Sequence, residues 1–263
     1  MKQRPGLSVF VTAILLRTLI GFGVGPTALA AATNCGAADG HLYSALNGST
    51  NTSAALADVD VRASALCDNT SHYTASAAWS MVESTDGDGW VQIGYVVQSD
   101  CGGCRNWFWQ AWQGNGHTPN DDFFGSPGTG ITKRFKVTWQ NGAGENDHFN
   151  LYICDNGGGN CIQYRETTWN PTTASWPGNF GLWAGETKDN QDDMPGTSSS
   201  KANFDNIQVR IGTGTWASPN TLTKCLEDIG TSGCNDTVNA YSFAWVNDPS
   251  DDHFRIWTDP INR

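Results

Sequence analysis

After residue 30, almost no stretch of this chain repeats its apolar residues every three or four positions. Short runs rich in Val, Ile, Trp, Tyr and Phe alternate instead with clusters of Gly, Asn, Asp, Ser and Pro. That rhythm leaves little room for packed helices and reads as an all-β sandwich or barrel. Strands are expected near 57–65, 76–84, 89–98, 105–113, 132–140, 148–154, 161–166, 179–186, 202–211, 240–246 and 253–258. Asp86-Gly87-Asp88-Gly89 is a turn signal that makes 76–98 a β-hairpin. Helix-like text is confined to Asn220–Ile229. Two long polar loops are expected, Gly114–Gly130 and Thr187–Lys201.

The first thirty residues read as a leader. Lys2 and Arg4 precede an apolar run, and Ala28-Leu29-Ala30 gives the small-x-small pattern of a signal-peptidase site. Arg17 interrupts the run, and neither half reaches the roughly 20 residues of a membrane span. Residues 1–30 are therefore expected to be a cleaved signal peptide, with 31–263 a single secreted domain and 212–263 a possible C-terminal appendage. The formal net charge is −11, and loss of Lys2, Arg4 and Arg17 with the leader makes the balance more acidic. Such a chain is a poor partner for nucleic acid or an anionic membrane.

Eight cysteines, Cys35, Cys67, Cys101, Cys104, Cys154, Cys161, Cys225 and Cys234, all follow the leader. An even count in an exported chain reads as a disulfide framework. Proximity suggests Cys35–Cys67, Cys101–Cys104, Cys154–Cys161 and Cys225–Cys234. Cys101-Gly-Gly-Cys104 has redox-motif spacing but no βαβ surroundings, so a bridge across a hairpin tip is the simpler account. A zinc site from Cys101, Cys104, Cys154 and Cys161 is disfavoured by export. No cofactor and no metal are expected. Asp189, Asp192 and Asp193 raise calcium as an alternative, but without EF-hand spacing they read as a solvated acidic loop.

Strand 89–98 carries the most information. Val91, Ile93, Tyr95 and Val97 share one face, which commits that face to a core. Trp90, Gln92, Gly94 and Val96 share the other, so Gln92 is either a solvated outer residue or part of a groove. Signatures of serine hydrolases, zincins and P-loop enzymes are absent, and no spaced carboxylate pair suits a retaining glycosidase. Of the five glutamates, Glu186 is the least surface-like, closing the run Phe180-Gly181-Leu182-Trp183-Ala184-Gly185-Glu186.

Val91-Gln92-Ile93-Gly94-Tyr95 and Trp183-Ala184-Gly185-Glu186 resemble the two motif strands of the neprosin-like glutamic peptidases. The first is also similar to the Gln-x-Gly strand of the fungal glutamic peptidases, the eqolisins. Met194-Pro195-Gly196 and the segment Ala202–Val209 extend the resemblance, which runs from about Ala77 to Val209. It implies a two-sheet antiparallel β-sandwich of concanavalin-like or jelly-roll type, whose bent sheet forms a substrate groove. It places Gln92 where eqolisins have their catalytic glutamine and Glu186 where neprosin has its second glutamate. Neprosin has glutamate at the first position; a Gln/Glu pair is the eqolisin arrangement.

The chemistry suits those residue types. Amide hydrolysis needs a base for the water, a donor for the oxyanion and an acid for the leaving amine. A carboxylate can take the water's proton and return it to nitrogen, and a neutral amide N–H can hold the oxyanion. The expected function is thus a secreted, acid-acting endopeptidase of the glutamic type with a polypeptide substrate. Trp90 and Trp183 are candidate substrate-binding residues. On a regular strand Glu186 shares a face with Phe180, Leu182 and Ala184, which read as core, so a bulge at Gly185 would be needed to re-aim it. The alternative is a non-catalytic, lectin-like carbohydrate-binding sandwich using Trp79, Trp90, Trp107, Trp109, Trp112 and Trp183, although Trp107 and Trp109 more naturally bury against a facing sheet.

Overall fold

In the computed structural model the described residues are 42–48, 52–67, 74–83, 89–112, 120–140, 147–169, 180–189, 192–219, 222–227 and 253–258. For 42–48, 147–148, 168–169 and 222–227 the description is of the backbone alone. The strands are β1 (Leu42–Gly48), β2 (Thr52–Asp60), β3 (Ala75–Glu83), β4 (Trp90–Gln98), β5 (Cys104–Trp112) and β6 (Asn120–Phe124). Then come β7 (Thr132–Gln140), β8 (Asp147–Asp155), β9 (Ile162–Trp169), β10 (Phe180–Thr187) and β11 (Gly196–Thr197). The last four are β12 (Ser200–Ile211), β13 (Trp216–Ala217), β14 (Leu222–Glu227) and β15 (Phe254–Ile256).

Two antiparallel sheets result. One runs β14-β1-β10-β3-β4-β5-β6; the other runs β11-β12-β2-β7-β8-β9, with β13 and β15 also paired to β12. The sandwich follows from strand parity. Val91, Ile93, Tyr95 and Val97 are all buried, as the alternation of β4 requires. They meet Phe135, Val137, Phe149, Leu151 and Phe204 from the second sheet in one core. Tyr95 keeps its hydroxyl satisfied there, accepting from Arg62 N at 3.0 Å and donating to Asp60 O at 3.1 Å. Burial pushes that phenol well above its ordinary range. Trp107 and Trp109 bury between the sheets as expected.

Several segments differ from the sequence expectation, among them the strand expected near 57–65, which runs from Thr52 to Asp60. β1 carries too few β-branched or aromatic residues to announce itself. β6 lies inside the expected polar loop 114–130; it is a mostly exposed edge strand paired to β5. The helix-like stretch at 220–229 contains a strand, β14, because pairing with β1 overrides local propensity. The run at 240–246 lies outside the described residues, as do residues 1–30.

Cys101–Cys104 and Cys154–Cys161 are disulfides, the first closing the β4–β5 hairpin and the second bracketing the turn between β8 and β9. With all four sulfurs bonded in pairs these cysteines offer no thiolate to zinc here, and no metal-holding cluster of His, Cys, Asp and Glu occurs among the described residues. Cys67 is also disulfide-bonded; the expected pairings Cys35–Cys67 and Cys225–Cys234 involve residues outside those described.

Candidate active site

The other face of the first sheet is not simply solvated. Its central strands are buried on both sides, because a second apolar cluster of Ala77, Trp79, Met81, Val96, Phe108 and Ala184 covers that face. Cross-strand register arranges it in rows. One row reads Leu182, Met81, Gln92, Gln110 and Asp121 across β10, β3, β4, β5 and β6. The next reads Ala184, Trp79, Gly94, Phe108 and Phe123; the third reads Glu186, Ala77, Val96 and Asn106.

A cavity of about 340 Å³ lies on this floor, and both Gln92 and Glu186 line it. Phe108 and Phe123, stacked with centroids 6.4 Å apart, form part of its wall. The lining also carries Gln98, Gln110, Asp100, Asp121 and Lys188. Gln92 is only 5% exposed, so its amide reaches the cavity without offering it much surface. Its Nε2 donates to Gln110 Oε1 at 2.7 Å, which fixes the orientation of the amide and leaves the second N–H of the same group for another acceptor. Glu186 is half-buried, and Trp79 Nε1 donates to its Oε2 at 2.7 Å. A buried indole thus holds one carboxylate oxygen in place.

No bulge is needed to bring Glu186 here. The β10–β3 register is continuous from Phe180 to Thr187. The parity expectation was inverted: Leu182 and Ala184 belong to the groove floor, whereas Gly181, Trp183 and Gly185 face the other sheet. Gly185 is small because a Cβ there would collide with Ile256 and come within 2.9 Å of Met194 Sδ. Trp183, expected beside substrate, is instead fully buried between the sheets and donates through Nε1 to Leu56 O at 3.0 Å. Trp90 lies on the groove face, half-buried against the floor cluster and one row beyond Gln92. Trp79, Trp107, Trp109 and Trp183 are all buried, which removes them as exposed sugar platforms.

Gly94 sits between the rows of Gln92 and Glu186, opposite Trp79. A Cβ there would strike Ala78 O and lie 2.7 Å from Trp79 Cβ. Gly94→Ala is therefore expected to push β3 and β4 apart and destabilise the fold by about 1–3 kcal/mol. Urea denaturation checks this; an unchanged midpoint would contradict the close approach.

Sequence reasoning missed Gln110 and Asp121. Gln110 carried a readable signal, a lone amide among the aromatics Trp107, Phe108, Trp109 and Trp112, like Gln92 among its neighbours. The acidic loop was misread. Asp189, Asp192 and Asp193 are buried, not solvated. Asp192 Oδ1 accepts from Cys67 N at 2.9 Å and Oδ2 from Asp189 N at 3.2 Å, while Asp193 N donates to Ala65 O at 2.7 Å. The segment after β10 is thereby strapped to residues 61–67.

No family model and no curated protein sequence matches this chain. Solved structures do. Scytalido-glutamic peptidase with a peptide-based transition state analog superposes with a TM-score of 0.54 at 11% identity, covering 84% of this chain and 98% of the peptidase. SCP-B, a member of the eqolisin family of peptidases in complex with the tripeptide Ala-Ile-His, gives 0.54 at 11% identity, covering 84% and 99%. The chain has the eqolisin-like glutamic peptidase fold.

Proposed function

We propose that this chain is an exported endopeptidase of the glutamic type that works in acid, binding an extended polypeptide along the groove of the first sheet. One observation carries the reading: Gln92 and Glu186, far apart in sequence, line the same open cavity. The fold supports it, since structural neighbours of that fold are peptidases solved with peptide-like molecules.

The register sets the separation of the pair across the floor of the groove. Gln92 and Glu186 stand two strands and four residues apart, about 17 Å between Cα atoms on a flat sheet. Both residues line the cavity. The two groups need not touch each other. Between them must fit a substrate carbonyl, hydrogen-bonded to the amide at about 2.9 Å, and a water bonded to the carboxylate. Glu186 takes the water's proton as its oxygen attacks the carbonyl carbon. The C=O electron pair moves onto oxygen, where the Gln92 N–H holds it. Glu186 then returns the proton to nitrogen as the C–N bond breaks.

Gln110 serves as the positioning residue for the Gln92 amide, and Trp79 for the Glu186 carboxylate. Gln92→Ala is expected to lower kcat by about 10²–10³-fold, the usual cost of losing one oxyanion donor, with KM little changed. The check is cleavage of a denatured protein between pH 2 and 6 by the folded, processed chain. Equal rates for wild type and Gln92→Ala would exclude the amide from the mechanism.

A further inference from the structure

The outer face of the second sheet holds a separate cavity of about 780 Å³, lined by Lys136, Thr138, Trp139, Gln140, Tyr152, Arg210, Gly212, Thr213 and Trp216. Its chemistry differs from that of the groove. The chain as a whole is strongly acidic, yet Lys136 and Arg210 here have no carboxylate partner among the described residues. Arg134, on the same face, shows the contrast: both its Nε and Nη2 donate to Asp58 at 2.8 Å.

Register brings the pieces together. Lys136 pairs with Tyr152 across β7 and β8, and Arg210 pairs with Trp216 across β12 and β13. Lys136 Nζ lies 4.2 Å from the Tyr152 ring centroid, and the Arg210 guanidinium carbon lies 5.9 Å from that of Trp216. Arg210 is anchored: Nη2 donates to Trp139 O at 2.8 Å and Nε to Ser53 Oγ at 3.4 Å. Its remaining N–H groups have no partner among the described residues. Thr138 and Gln140 add a hydroxyl and an amide at the edge.

Two half-buried cations without counter-ions are costly where they stand. Burial, with Arg134 and Arg210 nearby, holds the Lys136 ammonium below its ordinary range. An anion would relieve that. The flanking rings and hydroxyl-matching groups ask for more than a bare ion, because they offer flat apolar faces as well as hydrogen bonds.

We propose that this cavity binds an acidic sugar unit, a hexuronate within a polysaccharide. Its carboxylate meets Lys136 and Arg210, its ring lies against Tyr152 and Trp216, and its hydroxyls meet Thr138 and Gln140. The site lies on the opposite sheet from Gln92 and Glu186, so it stands whether or not the groove is catalytic. It would hold the protein on an anionic glycan matrix.

The test is calorimetric titration of the processed chain at pH 5 and about 0.15 M salt with galacturonic acid trimers and, in parallel, neutral galactose trimers. The acidic trimer is expected to bind at least 10-fold more tightly than the neutral one. Lys136→Gln and Trp216→Ala are each expected to weaken it at least 10-fold while melting within a few degrees of wild type. Equal affinity for the two trimers would overturn the proposal, as would unchanged affinity in both folded variants. Inorganic phosphate binding as tightly as the acidic trimer would overturn the sugar assignment, leaving a general anion site.

Discussion

Glu186→Gln is expected to lower kcat by at least 10³-fold while leaving the fold and peptide affinity close to those of wild type. The amide has nearly the carboxylate's shape and retains an oxygen that can accept from Trp79 Nε1, which donates to Glu186 at 2.7 Å. What disappears is the proton carrier. General acid–base catalysis contributes about 10²–10⁴-fold, and in the proposed mechanism one group serves as base in the first half of the reaction and acid in the second. The loss should thus fall at the upper end and exceed that of Gln92→Ala. The check is kcat and KM for one cleavage site, with melting temperature measured on the same samples. A variant that cleaves within tenfold of wild type would remove Glu186 from the chemistry.

The second large effect concerns stability. Burial, with the like charge of Asp189 added, pushes the Asp192 carboxyl up to about 7, against the backbone N–H groups of Cys67 and Asp189 that it accepts. Its ordinary value is 3.8. Between those two values the folded chain holds a proton that the unfolded chain has released. Stability from this group is greatest below about 4, falls as pH rises through the window, and levels off above about 7. The full span corresponds to about 4 kcal/mol.

Asp192→Asn cannot ionise, but its amide nitrogen cannot accept the Asp189 N–H, which costs about 1 kcal/mol. The variant is therefore expected to be about 2–3 kcal/mol more stable than wild type at pH 7.5 and slightly less stable at pH 3.5. Denaturant midpoints at the two pH values measure this. A difference between variant and wild type that is the same at both would show that Asp192 ionises normally. The segment involved leads directly out of β10 beyond Glu186, so a proton at Asp192 firms one end of the groove in acid, where the proposed chemistry operates.

How much of this could be read beforehand depended on whether the deciding interaction was local. The alternation of Val91, Ile93, Tyr95 and Val97 commits β4 to one core, and the clusters around Cys101–Cys104 and Asn156–Asn160 mark hairpin turns. Those features lie within a few residues of each other. Glu186 was harder, because β10 is central and apolar on both faces: Trp183 serves the inter-sheet core and Leu182 the groove floor. Parity alone cannot rank two apolar faces. Asp189, Asp192 and Asp193 look like a solvated loop until residues 61–67, more than a hundred positions earlier, are laid against them. β6 and β14 are strands because of the neighbours they pair with, which their own composition does not disclose.

The most direct trial of the whole account is acid incubation of the folded protein, prepared without residues 1–30, with a mixture of denatured proteins in ¹⁸O-labelled water, read by mass spectrometry. Hydrolysis in the groove predicts internal cleavages whose new carboxyl termini carry a label from solvent, appearing with wild type and absent with Glu186→Gln. Substrate left intact by well-folded wild type across pH 2–6 would contradict it.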